Sequence, residues 1–252
     1  YRPISLIHLV AKIFAKVLSL RLARKLNTLA STSQSVFIPG RSLHDNFVLV
    51  RQSMKLLHQL GAPRAMLKLD LTRAFDSLSW PFLFEALGQY GFGPRFREWL
   101  AILLSSSSTR IMINGEPGPP VWHRCGLRQG DPLSPLLFIR AIDPLHRLLR
   151  LAAERNIINP LSGRELKLRV SLYADDAVLF ANPIAEEIEA LMGILHGFGD
   201  AAGLKINLAK SSATHIRYED INMAEVLQSF GGQMKSFPIT YLGLPIIPAR
   251  LR

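Results

Sequence analysis

The sequence predicts an α+β domain with an antiparallel sheet at its centre. Three observations carry this: apolar residues recur at helical spacing over several long stretches, short apolar runs of strand length lie between them, and two of those runs flank hairpin-turn residues. From Leu9 to Leu26 the stripe is Val10, Ile13, Phe14, Val17, Leu18 and Leu22, with Lys12, Lys16, Arg24 and Lys25 largely outside it, an amphipathic helix with a basic outer side. Ser42 and Asp45 have the spacing of a capping box, and Leu43, Phe47, Val50, Met54 and Leu57 continue as a helix to about Leu60. Gly61 to Pro63 ends it, and Ala65 to Leu71 reads as a buried strand. Ser79, with Pro81 in the first turn, starts a helix carrying Phe82, Leu83, Ala86 and Leu87. Asn114-Gly115 marks a hairpin. Apolar spacing from Leu136 to Leu151 predicts the next helix, and Ile188, Leu191, Met192, Leu195 and Phe198 another, which Gly203 terminates. Leu204 to Leu208 has the look of an edge strand.

With 252 residues and 48% apolar content, the chain can bury a core as one large domain or two subdomains. Thirty Lys and Arg oppose 19 Asp and Glu, a formal charge of +11 that implies a polyanionic partner, nucleic acid or an anionic membrane surface. No apolar run reaches the roughly 18 residues of a membrane span, and no targeting signal is visible, so a membrane role is not expected. The single cysteine, Cys125, excludes an intramolecular disulfide and suits a reducing, intracellular compartment.

Chemistry concentrates at Ser171 to Phe180, where Asp175-Asp176 separates two apolar runs. Aspartates tolerate tight turns, so both are expected at the tip of a hairpin held by Leu172, Tyr173, Val178 and Phe180. Alone, such a pair is either a solvated turn or a cluster of hard oxygen ligands for divalent cations, of the kind that serve phosphoryl transfer in pairs. Asp70, at the end of its strand, is placed to join them from a sheet edge.

Leu-Asp-Leu-Thr-Arg-Ala-Phe-Asp at 69–76, Arg-Gln-Gly-Asp-Pro-Leu-Ser-Pro at 128–135 and Tyr-Ala-Asp-Asp at 173–176 resemble the three central polymerase motifs of reverse transcriptases. The form is similar to that of non-LTR (LINE-type) retrotransposons, as found in plants. Tyr1 to Leu6 and Phe37 to Ser42 resemble that family's two fingers motifs, Gly203 to Asn207 with Lys210 the motif after the catalytic hairpin, and Tyr241 to Pro245 the primer grip. The resemblance covers nearly the whole chain in the family's order.

It implies a right-hand polymerase with fingers at 1–64, palm with an inserted fingers segment at 65–202, and the palm's end and primer grip at 203–252. It also implies an RNA-directed DNA polymerase that adds dNTPs to a DNA primer on an RNA template, and a nuclear location. Asp70, Asp175 and Asp176 would hold two Mg²⁺ ions, with Mn²⁺ as a possible substitute. Lys210 would protonate the leaving pyrophosphate, and Arg2 and Arg41 would meet the triphosphate. Phe75 would close the space beside the sugar C2′, with a core phenylalanine as the alternative. Gln129 and Gly130 would approach the base pair, Tyr241, Leu242 and Gly243 would form the primer grip, and Asp76 would be structural. No endonuclease and no complete thumb are visible, and Arg140 interrupts a helix where an uncharged residue is expected. A fragment or decayed copy is the resulting expectation, with a non-catalytic nucleic-acid-binding remnant as the competing class.

Overall fold

The computed structural model describes residues 8–29, 40, 42–161, 169–174, 176–217 and 222–248; Arg2, Arg41 and Asp175 lie outside them. Helix α1 (Leu9–Leu29) forms where apolar spacing places it, but its buried side is Ala15, Leu18 and Leu22, while Val10, Ile13 and Val17 are exposed. The expected stripe is therefore corrected by half a face. Ala15 is wholly buried beside the two leucines, and Phe14 meets the edge of Trp99 at 5.6 Å between ring centroids.

Helix α2 (Leu43–Gln59) begins with the capping box: the Ser42 hydroxyl accepts from the Asp45 amide, and the Asp45 carboxylate accepts from the Ser42 amide at 2.8 Å. Strand β1 (Arg64–Asp70) follows, then the short α3 (Ala74–Ser77) and α4 (Trp80–Gln89), capped by Ser79 with Pro81 in its first turn. Helix α5 (Pro94–Ser105) is an element the apolar spacing does not announce. Two small ribbons come next, β2 (Ser108–Thr109) with β5 (Val121–Trp122) and β3 (Met112–Ile113) with β4 (Glu116–Pro117). The inner one turns at Asn114-Gly115, both in the left-handed region that Asn and Gly tolerate.

Helix α6 (Ser134–Glu154) carries Arg140, which is wholly buried. Its guanidinium lies 5.1 Å from the centre of the Tyr90 ring, and the Tyr90 hydroxyl donates to Asp143 at 2.6 Å. Burial lowers the Arg140 pKa, and Asp143 and Tyr90 oppose that shift. The charge that interrupts the apolar pattern is thus built into the packing.

Strands β6 (Val170–Tyr173) and β7 (Asp176–Ala181) form the carboxylate hairpin, and α7 (Ala185–Ala202) ends at Gly203. Glycine is required there: φ is +76° and an added Cβ would lie 2.2 Å from the Ser77 carbonyl oxygen. The 204–208 segment is not a strand. It makes a single bridge, Leu71 to Ile206, then turns through 207–211 into β8 (Ser212–Ile216), the true neighbour of β1. Helix α8 (Met223–Val226), a 3₁₀ turn (Gln228–Phe230), β9 (Gln233–Met234) and the hairpin of β10 (Ile239–Tyr241) with β11 (Leu244–Ile246) complete the described chain.

Among the described residues the central sheet runs β6-β7-β1-β8-β9, antiparallel except for the parallel β8–β9 pair. Side chains alternate between its faces. Leu67, Leu69, Leu172, Ala177, Leu179 and Ala213 point into the larger core, which α4, α6 and α7 cover. Met66, Val178, Phe180 and Ile216 point the other way, against Phe47, Val50, Met54 and Leu57 of α2 and Ile239, Tyr241 and Ile246 of the last hairpin. Each fully buried leucine in such a core contributes about 1.5–3 kcal/mol.

Candidate active site

Register brings the first two carboxylates together. Asp70 closes β1 and pairs directly with Asp176, the first residue of β7, on the face that carries Met66 and Val178. Asp176 itself pairs with Tyr173 across the hairpin, so it is a strand residue and not, as expected, part of the turn; Ala174, with φ +52°, supplies the left-handed backbone there. Asp70 is pinned from both directions along its backbone: its amide donates to the Ser211 hydroxyl at 3.1 Å, and its carbonyl accepts from the Asn207 amide at 2.8 Å. Lys210 lies within the turn that does this, and its side chain is exposed. Lys210 therefore sits in the segment flanking Asp70.

Like charges directly opposite one another on neighbouring strands repel, and a cation between them converts that cost into binding. Among the described residues no group of three His, Cys, Asp or Glu side chains is placed to hold a metal; the third expected ligand, Asp175, is not among them. The pair formed by Asp70 and Asp176 has hard oxygen donors at facing positions, which fits Mg²⁺ or Mn²⁺.

The loop from Gly126 to Pro135 is stitched to α3. Gly126 and Leu127 donate their amides to the carbonyls of Leu78 and Phe75, and the Trp80 indole donates to the Gly126 carbonyl at 2.7 Å. Only glycine allows this approach, since a Cβ at Gly126 would lie 2.4 Å from the Asp76 carbonyl oxygen. Arg128 holds the other flank through the Ser107 hydroxyl at 2.6 Å and the Leu103 carbonyl at 2.8 Å. Asp131, whose carboxyl burial pushes upward in pKa, accepts from the Leu133 amide and opens α6. Between these anchors Gln129 is half-buried, and Gly130 is exposed with φ +93°. Phe75 is half-buried and stacked on Phe138, with centroids 4.7 Å apart. One side of the ring thus belongs to the core, and the rest is left at its margin.

Leu242 and Gly243, both at positive φ, form the turn of the β10–β11 hairpin, and Tyr241 is the strand residue that leads into it. Lys68 ties that hairpin to β1 by donating to the Thr240 carbonyl at 2.9 Å. The Tyr241 ring is wholly buried and its hydroxyl donates to Asn46 at 2.7 Å. Burial raises the pKa of this phenol, the charge of Asp176 raises it further, and the Ser171 hydroxyl pulls it down. Asn46, Ser171 and Ser211 are site residues that the motifs do not reveal.

A sheet whose paired acids lie on the face opposite its helices, with a glycine-bearing loop sewn beside an aromatic ring, has the arrangement of a polymerase palm. Telomerase from Candida albicans, solved in complex with a fragment of telomeric RNA, shares the fold with a TM-score of 0.57 at 15% identity, over 94% of this chain and 36% of that one. Apo telomerase from Candida tropicalis matches with a TM-score of 0.57 at 13% identity, over 82% and 41% of the two chains. The chain belongs to the reverse transcriptase (RNA-dependent DNA polymerase) family, whose pattern it matches over residues 1–246.

Its relatives are proteins of non-LTR retrotransposons. It is 34% identical over 212 residues to the 149 kDa protein of transposon TX1 from Xenopus laevis, covering 84% of this chain and 16% of that protein. It is 27% identical over 252 residues to the Pol polyprotein of the type-2 retrotransposable element R2DM from Drosophila melanogaster, covering 100% of this chain and 22% of that polyprotein. The chain thus spans less than a quarter of either relative. No helix among the described residues is long and apolar enough to cross a membrane.

Proposed function

We propose that this chain adds deoxynucleotides to the 3′-hydroxyl of a DNA primer paired to an RNA template. The observation that carries the reading is the register of Asp70 opposite Asp176 at the end of the sheet's mixed face. Asp70, Asp176 and Asp175, the residue that precedes Asp176 in sequence, would hold the two divalent ions. When bound, these ions acidify the 3′-hydroxyl and offset charge on the triphosphate and departing pyrophosphate. The protein's own groups do the rest. The pinned backbone of Asp70 keeps its carboxylate from following the substrate. Phe75, braced by Phe138, limits room beside C2′. Gln129 and Gly130 approach the base pair, where Gly130 lets the backbone come close because glycine presents no side chain. Lys210, on its exposed turn, serves as proton donor to the leaving group. Arg2 and Arg41 provide cations for the triphosphate, and the 241–243 turn seats the primer end. The +11 charge suits the paired polyanionic strands.

The test is primer extension on an RNA template with dNTPs and Mg²⁺. Wild-type chain should extend the primer and stop when the metal is chelated, and Asp175→Asn should abolish extension while the melting temperature holds, since an amide lacks the charge that retains the ion. A folded wild type that binds primer–template and adds no nucleotide would establish a binding remnant instead.

A further inference from the structure

One buried amide joins three separate parts of the site. Asn46 is 0% exposed and lies in α2 among Phe47, Val50 and Met54. Its Oδ1 accepts from the Tyr241 hydroxyl at 2.7 Å and from the Ser171 hydroxyl at 3.2 Å, and its Nδ2 donates to the Leu172 carbonyl at 3.5 Å. Ser171 and Leu172 belong to β6, whose last residue, Tyr173, pairs with Asp176. Tyr241 is the residue on which the β10–β11 turn begins. Ser171 and Tyr241 are themselves 0% exposed, so no water competes for these bonds.

Asparagine suits this position for a chemical reason. Two hydroxyls need an acceptor with two free lone pairs, and the strand carbonyl needs a donor; a primary amide supplies both without charge. Aspartate would lose the donor and bury a second negative charge near Asp176, and an apolar residue would leave two buried hydroxyls without partners.

We infer that Asn46 is a positioning residue for nucleotide addition, locking the strand that carries the carboxylate hairpin to the primer-grip turn so that the primer end and the catalytic acids keep one relative placement. The inference rests on the polymerase reading, because only that reading gives the 241–243 turn a primer to hold. Small misplacements of reacting groups are costly, so the lock has a kinetic signature distinct from stability. In rapid-quench addition of one nucleotide, Asn46→Ala should lower the burst rate roughly 10- to 100-fold while the KM for dNTP and the affinity for primer–template stay within about threefold. Tyr241→Phe removes one hydroxyl and no packing, and should show a smaller loss of the same kind. Combined with Asn46→Ala it should add nothing, because the two changes break the same bond.

A merely structural role would reduce the burst amplitude, the fraction of active molecules, and leave the burst rate untouched; that result would overturn the inference. Hydrogen exchange provides a readout that needs no activity. In Asn46→Ala and in Tyr241→Phe, amides of 171–173 and 239–241 should exchange faster together, while those of 212–216 remain as in the wild type. Acceleration confined to the mutated element would overturn the coupling. If wild type binds primer–template and adds no nucleotide, the polymerase reading falls and takes the kinetic role of Asn46 with it, while the exchange pattern still decides whether the two elements are locked.

Discussion

On the helix-backed face of the central sheet, Leu67, Leu69, Ala177 and Leu179 meet α4, α6 and α7 in a core built from apolar side chains. On the opposite face, Met66, Val178 and Phe180 share the surface with Lys68, Asp70, Ser171 and Asp176, and among the described residues the apolar cover comes from α2, Leu161 and the last hairpin. The same strands thus serve two purposes, divided by the period-2 alternation of their side chains. The apolar face sets how stable the sheet is, and the mixed face sets what its end can bind. Changes on the two faces should therefore separate folding from chemistry.

The largest effect expected on the apolar face is a loss of stability. Leu179 is wholly buried in the larger core, so Leu179→Ala should cost about 2–5 kcal/mol, read as a lower denaturation midpoint, while extension per folded molecule stays near that of the wild type. A stable Leu179→Ala protein with lost catalysis would break the division between faces.

Phe75 stands where the core meets the site. Its ring is braced by Phe138 and only half-buried. Phe75→Val should lower discrimination between dNTP and rNTP by roughly 10- to 200-fold, measured as the ratio of kcat/KM values, because it opens room for one hydroxyl. An equal fall for both nucleotide types would assign the ring to the core alone.

On the helical side, Tyr90, Asp143 and Arg140 form a polar cluster whose effect should be on stability. Burial, reinforced by the Asp143 bond, raises the Tyr90 phenol above its ordinary value of 10.0. Above about pH 10 the unfolded chain therefore releases this proton first, and stability falls as pH rises. Tyr90→Phe should remove that part of the slope, at most about 1.4 kcal/mol per pH unit, in urea midpoints compared at pH 9 and 11. An unchanged slope would show that this phenol is not the group responsible. The smallest effect belongs to Ser79→Ala, which removes the cap of α4 and should cost about 1 kcal/mol with selectivity and salt dependence unaltered.

Which features were legible in the sequence follows from how local their causes are. Ser42 with Asp45, Ser79 with Pro81, Asn114-Gly115 and Gly203 act on backbone within a few residues, and each forms as the sequence predicts. Strand β8 is not legible because Ser212 and Thr214 are buried polar residues, so its sequence lacks apolar alternation, while the more apolar 204–208 run before it makes a single bridge. Helix α5 has Arg95, Arg97 and Glu98 in its first turns, and its buried leucines crowd toward its end. The residue types of the site were readable from Asp70, Phe75, Gln129 and Asp176, but the Asp70–Asp176 pairing exists only through strand register. Asn46 leaves one trace, an amide among the apolar residues Phe47, Val50, Met54 and Leu57 of its helix. Its partners Ser171 and Tyr241 lie 125 and 195 residues away, beyond any local pattern.

The most direct test of the central claim is the single-turnover rate of Asp70→Asn on a DNA primer annealed to an RNA template. Asp70 faces Asp176 on the mixed side of the sheet, its backbone bonds to Ser211 and Asn207 do not involve the carboxylate, and the amide is nearly isosteric with it. The account predicts a protein that melts with the wild type, still binds primer–template, and adds nucleotides at least about 1,000-fold more slowly, the loss expected when a ligand of the ions that stabilise the reacting phosphate is removed. Extension by Asp70→Asn at a rate close to that of the wild type would contradict it.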